Sequence, residues 1–203
     1  MEDHANAHTV IENADALARC RLSDGRYAHT LRVADTAADL ARIHNLDEDR
    51  ARLSALIHDS ARETSPEEFL RLAREWNVPI GEPERQSPKL LHGPVAAELA
   101  RRELGVEDRE ILEAVRAHTT GKPGMGPLAL ALYVADKIEP ARDYPSVERL
   151  RGLAREDLHT AAAESLRRAI AHNEGRGKDI HPSSREALEW LEADRTPQGG
   201  VEQ

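Results

Sequence analysis

The stretch PLALALYVAD, residues 127–136, decides the fold. Its alternation of alanine and leucine imitates the two-residue period of a half-buried strand. Alanine is depleted in strands, however, and no partner strand is visible elsewhere in the chain. Pro127 also stands where a helix opens, because the N–H it lacks is one that a first turn leaves unpaired in any case. The stretch is therefore read as a buried helix, and it ends on a carboxylate, Asp136.

The chain keeps this character outward from that helix. Upstream, GKPG at 121–124 forces a loop, Ile111, Leu112 and Val115 mark the buried face of the preceding helix, and Gly105 stops the one before it. That earlier helix carries His92 and is expected to open at Ser87-Pro88. Ser65-Pro66-Glu67-Glu68 has the pattern of a capping box, and Asp47 is an N-cap ahead of Leu53, Leu56 and Ile57. Tyr27, Leu31, Ala34, Ala38 and Ala41 recur at helical spacing, with Val33, Ala37 and Leu40 widening the stripe. Downstream, two helices are expected over about 146–174 with a break near Arg155, and a last one over about 183–194, joined by the polar link NEGRGKD at 173–179. The reading is a single all-α domain: a helical extension over 1–22, a core with C-terminal helices over 23–195, and a flexible tail over 196–203.

Composition bounds the function. With 203 residues there is room for one core, and 3% aromatics means that core is built from Leu, Ala, Val and Ile. The 28 basic against 37 acidic residues give a net charge of −9, which argues against a nucleic-acid partner or a polybasic membrane anchor. The single Cys20 excludes an internal disulfide. No apolar run reaches the roughly 20 residues of a membrane span, and the start lacks the pattern of a signal peptide, so a cytoplasmic protein is expected.

The chemistry lies in histidines and carboxylates. Of ten histidines, His4, His8, His44, His159 and His172 are read as solvated surface residues, which leaves His29, His58, His92, His118 and His181. His58-Asp59 follows the apolar turn Leu56-Ile57, and Asp136 follows the apolar run 130–135. An ionised carboxylate there is costly without a cation. Arg62 could serve Asp59, whereas Lys137, adjacent to Asp136, is expected to pair poorly because neighbouring helical side chains diverge. His29 adds an imidazole to a third apolar face. One divalent metal would satisfy all three helices, and nitrogen with carboxylate oxygen suits iron, manganese, zinc or cobalt.

The order His29, His58-Asp59, Asp136 resembles the HD-domain superfamily of metal-dependent phosphohydrolases. The segments RYAHTLRVADTAADLA (26–41), ALIHDSAR (55–62), LLHGPVAAELA (90–100), AVRAHTTGKPGM (114–125), LYVADKIEPAR (132–142) and, more weakly, IHPSSREALEWL (180–191) are similar to its YqeK-type subgroup. Arg62 stands where that subgroup commonly has lysine, and Leu130 where a polar or basic residue is expected.

The resemblance implies an HD-domain helical bundle with additional C-terminal helices. It implies a symmetrical bis(5′-nucleosyl)-tetraphosphatase that cuts diadenosine tetraphosphate into ADP with one or two bound iron ions. His29, His58, Asp59 and Asp136 become the metal ligands, with a second ion at His92 and His118 bridged by Asp59. In a one-metal version, His92 and His118 would touch phosphate or protonate the leaving ADP. The resemblance also implies Asp59 as a catalytic residue beside these two histidines, and Asp136 as a substrate contact. A bound metal would polarise a phosphoryl oxygen and make hydroxide available near neutral pH. Arg26 and Arg62, each one turn from a ligand, would grip phosphate, and Thr119 would reach phosphate or ribose. Arg176, Gly177, Lys178 and His181 would close over the adenosine. A dinucleoside polyphosphate is thus the implied partner, and a homodimer is left open. Competing readings are another HD nucleotidase or nucleoside triphosphate phosphohydrolase, and a non-catalytic helical domain that senses a nucleotide.

Overall fold

The computed structural model describes residues 2–193, the side chains from residue 8 onward. The tail expected over 196–203 lies outside them. The helices are α1 (Glu2–Arg21), α2 (Asp24–Ile43), α3 (Glu48–His58), α4 (Pro66–Glu75), α5 (Glu82–Gln86), α6 (His92–Glu103), α7 (Arg109–Ala117), α8 (Pro127–Ile138), α9 (Val147–Glu156), α10 (Leu158–Glu174) and α11 (Pro182–Ala193). No strand occurs among the described residues. The chain is all-α.

The alternating stretch is α8, and it is the axis of the molecule. Every residue from Leu128 to Ile138 is buried except Lys137, as expected of a helix apolar all round. It packs against α2, α3, α7, α9 and α10. The C-terminal helices α10 and α11 pack on each other, and α1 packs on α2 and α3. None of the described helices is long and apolar enough to cross a membrane.

Local chemistry sets the boundaries. Asp47 accepts from the Arg50 N–H at 3.0 Å and opens α3. Gly105, at φ +66°, lies just past α6 in a conformation that glycine adopts without strain. Asp157 breaks the 147–174 region by capping α10, accepting from His159 N and Thr160 N.

Three local expectations are corrected. Ser65 does accept from Glu68 N, but the Glu68 carboxylate turns to Arg71, so the capping box is only half formed. Ser87-Pro88 opens a 3-10 turn over Pro88–Leu91, and α6 starts at His92 itself. The buried stripe of α2 is His29, Thr30, Val33, Ala34, Ala37, Ala38, Leu40 and Ala41. Leu31 is 36% exposed, and Tyr27 is half-buried with its hydroxyl on Asp15. The wide stripe had two edges at the sequence level, and packing chose the one that contains His29.

Candidate metal centre and substrate cavity

Helix ends converge on one point. His58 is the last residue of α3 and Asp59 its C-cap, His118 caps the C-terminus of α7, and Asp136 lies in the last turn of α8. His29 comes from the second turn of α2, and His92 opens α6. Three helix C-termini directed at one place already favour a cation there. His29, His58, Asp59, His92, His118 and Asp136 are all buried.

The Asp59 carboxylate divides the cluster. Its Oδ2 lies 3.5 Å from His58 Nε2 and 4.0 Å from His29 Nε2. Its Oδ1 lies 3.4 Å from His92 Nε2 and 3.7 Å from His118 Nε2. His29 Nε2 is 3.1 Å from Asp136 Oδ1. Ligand-type atoms of His29, His58 and Asp136 form one tight group, and those of His58, Asp59 and His118 a second. The structure thus brings together all the ligand residues read from the sequence.

Each imidazole is held in one tautomer. His58, His92 and His118 place Nδ1 at 2.5, 2.6 and 2.7 Å from the carbonyls of Ala55, Lys89 and Val115. A carbonyl only accepts, so each Nδ1 carries the proton and each Nε2 presents a lone pair to the centre. His92 Nε2 and His118 Nε2 then face each other at 3.0 Å. His29 Nε2 and His58 Nε2 are buried with no hydrogen bond. Nitrogens bound at ~2.1 Å and at right angles on one ion lie ~3 Å apart. The donor set therefore fits a divalent metal, which would satisfy nitrogens that otherwise meet lone pair to lone pair.

Gly93 makes the His92–His118 approach possible. A Cβ there would meet the Val115 carbonyl oxygen at 2.9 Å and His118 Cε1 at 3.2 Å. Gly93→Ala is expected to push α6 from α7 and to cost about 1–3 kcal/mol, read as a lower Tm. A variant as stable as the parent would contradict the tight approach.

Electrostatics favour ionised carboxylates and neutral imidazoles. Burial pushes His58 down to about 4 and also lowers His92 and His118. Burial opposes ionisation of Asp59, yet His58, His118 and His92 hold its carboxyl well below the usual range. Lys137 and His29 do the same for Asp136 against its burial. Between 6.5 and about 4 the unfolded His58 binds a proton that the folded residue refuses, so stability is intact above this window and falls as pH drops through it. The depressed carboxyls act in the same direction nearer their ordinary values. Chelator-treated protein is therefore expected to melt at lower temperature at pH 5 than at pH 7.5, with His58 contributing up to about 1.4 kcal/mol per pH unit. A Tm that is flat or rises towards pH 5 would contradict this.

Above the cluster lies a cavity of 480 Å³, floored by Asp59, His92, His118 and Asp136. Arg26, Arg62, Lys137, Arg142 and Arg168 line it. Asp59 takes its cation from Arg26, at 3.1 Å, and not from Arg62. Arg62 instead lies with Nη1 3.2 Å from His92 Nδ1 and forms no ion pair among the described residues. Lys137 reaches Asp136 at 2.6 Å, contrary to the expectation that adjacent residues pair poorly; its ammonium nitrogen lies over the ring of Tyr133, one turn earlier in α8, 4.9 Å from the centroid, so the side chain is folded back along the helix. Arg142 also bonds Asp136, at 2.9 Å.

A second cavity, of 1070 Å³, is lined by Gly177, Lys178, His181, Thr120 and Tyr133 among others, and it shares Thr119 and Ala169 with the first. Thr119 Oγ1 lies 3.0 Å from His92 Nε2 and 3.2 Å from His118 Nε2. Both ring nitrogens of His181 are engaged, Nε2 with Glu84 at 2.9 Å and Nδ1 with the Ser183 N–H at 3.1 Å. Arg176 is exposed and lines neither cavity.

Sequence reasoning missed Arg142, Tyr144, Arg168 and His172 as cavity residues. His172 is exposed but forms the cavity wall with Ser165, Arg168 and Ala169, an i, i+3, i+4, i+7 face of α10 that was legible as a pattern. Two other histidines read as solvated are not. His44 is half-buried and donates from Nε2 to the Ala154 carbonyl at 2.7 Å, and His159 lies against the Trp190 ring at 5.5 Å. His8 is exposed, and the side chain of His4 lies outside the described ones.

A helical protein whose helix ends gather histidines and aspartates in this order is of the HD class, and the family model described as HD domain matches residues 26–141. The chain belongs to the HD domain family. It is 36% identical over 180 residues to the symmetrical bis(5′-nucleosyl)-tetraphosphatase of Bacillus subtilis (strain 168), covering 89% of this chain and 96% of that protein. It is 37% identical over 168 residues to the enzyme of the same name from Halalkalibacterium halodurans, covering 83% and 89%. A crystal structure from Clostridium acetobutylicum, described as a predicted HD superfamily hydrolase involved in NAD metabolism, superposes with a TM-score of 0.88 at 33% identity, covering 91% of this chain and 97% of that one.

Proposed function

We propose that this protein hydrolyses diadenosine tetraphosphate symmetrically to two ADP. The observation that carries the reading is a basic cavity set directly on the histidine–aspartate cluster. Five cationic side chains line it in a chain of net charge −9. Local cations at that density suit a substrate with several phosphates in a row. The curated relatives bearing the symmetrical tetraphosphatase name match along nearly their whole length.

The two cavities give the substrate room for two halves. They meet at Thr119 and Ala169, beside the cluster. One nucleoside lies beside Tyr144 in the basic cavity, and the other beside Gly177, Lys178 and His181 in the larger one. Tyr133 supports a polar occupant there: it is 1% exposed, lines the cavity, and its hydroxyl makes no hydrogen bond to the described residues. His181 borders this half mainly as a latch to Glu84. The central phosphates then lie over Asp59, His92 and His118.

His29, His58, Asp59 and Asp136 would hold a metal, with iron the proposed ion and a second ion at His92 and His118. A divalent metal there supplies Lewis acidity towards a phosphoryl oxygen and acidifies water. Arg62 and Arg26 bind phosphate oxygens and neutralise charge as it builds. Water adds its oxygen to one central phosphorus, the bridging P–O bond breaks, and the oxygen of that bond leaves with the other ADP and takes up a proton. Solvent supplies that proton, because the Nε2 atoms of His92 and His118 present lone pairs and their Nδ1 protons are held on backbone carbonyls. The setting proposed is the cytoplasm.

The test is a substrate panel with added iron or manganese. Higher kcat/KM for diadenosine tetraphosphate than for ATP or AMP is expected. Preference for ATP or AMP would turn the reading to a triphosphate hydrolase or a nucleotidase, and binding without turnover to a nucleotide sensor.

A further inference from the structure

One imidazole of the cluster lacks the support that the others share. His58, His92 and His118 lie at helix ends, where each can donate from Nδ1 to the carbonyl three residues earlier. His29 lies inside α2, where the carbonyls are spent on the helix ladder. An acceptor must come from another element, and it comes from Glu139, the C-cap of α8. Glu139 Oε1 is 3.1 Å from His29 Nδ1. Its Oε2 accepts from Arg32 Nε at 2.6 Å and from the Ala141 N–H at 2.8 Å. The residue is 2% exposed.

The turn that carries Glu139 is itself clamped. Arg151 of α9 donates from Nε to the Ile138 carbonyl at 3.0 Å and from Nη2 to the carbonyls of Glu139 and Arg142, at 3.0 and 3.1 Å. Backbone conformation, carboxylate and imidazole are thus linked in series, from α9 through the 138–142 turn to α2.

We propose that Glu139 is the positioning residue of the metal centre, taking the Nδ1 proton of His29 and so fixing its Nε2 lone pair towards Asp136 and Asp59. The proposal rests on the reading of His29 as a metal ligand. A carboxylate behind an imidazole fixes its tautomer and raises its basicity as a ligand, and removing such a partner typically weakens metal binding 10–100-fold. The charge matters as well as the shape. Glu139 meets three donors, from His29, Arg32 and Ala141, and a glutamine has one oxygen to offer them. Glu139→Gln therefore turns an amide N–H₂ towards at least one donor.

Zinc serves as the probe, because it is diamagnetic and its affinity is measurable by competition with a chromogenic chelator. Glu139→Gln is expected to bind zinc 10–100-fold more weakly than the parent. In zinc-loaded parent protein, nitrogen-15 NMR of labelled histidine is expected to place the His29 proton on Nδ1. Zinc affinity of the variant within twofold of the parent, or a His29 proton found on Nε2, would overturn the proposal. If Glu139→Gln does not fold, the NMR measurement on the parent decides alone. Failure of the parent to bind zinc at all would instead overturn the metal-centre reading, so the two failures are distinct.

Discussion

Asp59→Ala is expected to lose most of its bound metal and to lower kcat/KM for diadenosine tetraphosphate by at least about 10³-fold, on the order of 4 kcal/mol of transition-state stabilisation. The size follows from its position. The two Asp59 oxygens face different halves of the cluster, His58 and His29 on one side and His92 and His118 on the other. Among the described residues no other carboxylate lies within 4 Å of imidazole nitrogens in both halves: Asp136 lies against His29, and Glu139 behind it. Removing Asp59 also leaves the Arg26 guanidinium without the partner it has at 3.1 Å and converging imidazoles without their anion. Elemental analysis of the purified variant is the check. Parental metal content would remove the basis of the site assignment, whereas loss of metal with the helical circular dichroism retained would support it.

The second large effect separates two arginines that the sequence treats alike. Arg62 is half-buried, lines the basic cavity and forms no ion pair among the described residues, so its guanidinium is available to the substrate. Arg62→Ala is expected to raise KM for diadenosine tetraphosphate by about 10–150-fold, corresponding to a charge-assisted contact of about 1.5–3 kcal/mol, with metal content unchanged. Arg26 also lines the cavity but is bonded to Asp59. Arg26→Ala is therefore expected to raise KM and to alter metal affinity together, which corrects the equal treatment that helical spacing alone suggests. Kinetics and metal titration on the two variants are the check, and identical behaviour of the pair would contradict the geometry.

What the sequence disclosed, it disclosed through local physics. The helical reading of PLALALYVAD follows from alanine content and a first-turn proline, and α8 is that helix. The histidine–aspartate cluster is visible because His58-Asp59 and Asp136 end apolar runs and His29 interrupts an apolar stripe, where an imidazole or carboxylate needs a reason to be. Glu139 escaped notice because it lies in a polar turn, where a glutamate is ordinary, and only the fold brings it 3.1 Å from a histidine 110 residues away. Arg142, Tyr144 and Arg168 escaped for the same reason. Their place in the cavity depends on how α10 and the turn after α8 pack around the cluster, and arginine is too frequent in this chain for its spacing to single out any one. Leu31 shows the converse: a large apolar side chain at helical spacing that lies at the edge of the stripe and stays exposed.

In the proposed reaction, water attacks a central phosphorus of a dinucleoside tetraphosphate held over the histidine–aspartate cluster. Hydrolysis of diadenosine tetraphosphate in ¹⁸O-labelled water, with the products of an early time point resolved by mass spectrometry, tests it most directly. ADP is expected as the sole nucleotide product, with one ¹⁸O atom on the terminal phosphate of one of each pair of ADP molecules. Label in AMP beside ATP, or in inorganic phosphate, would contradict it.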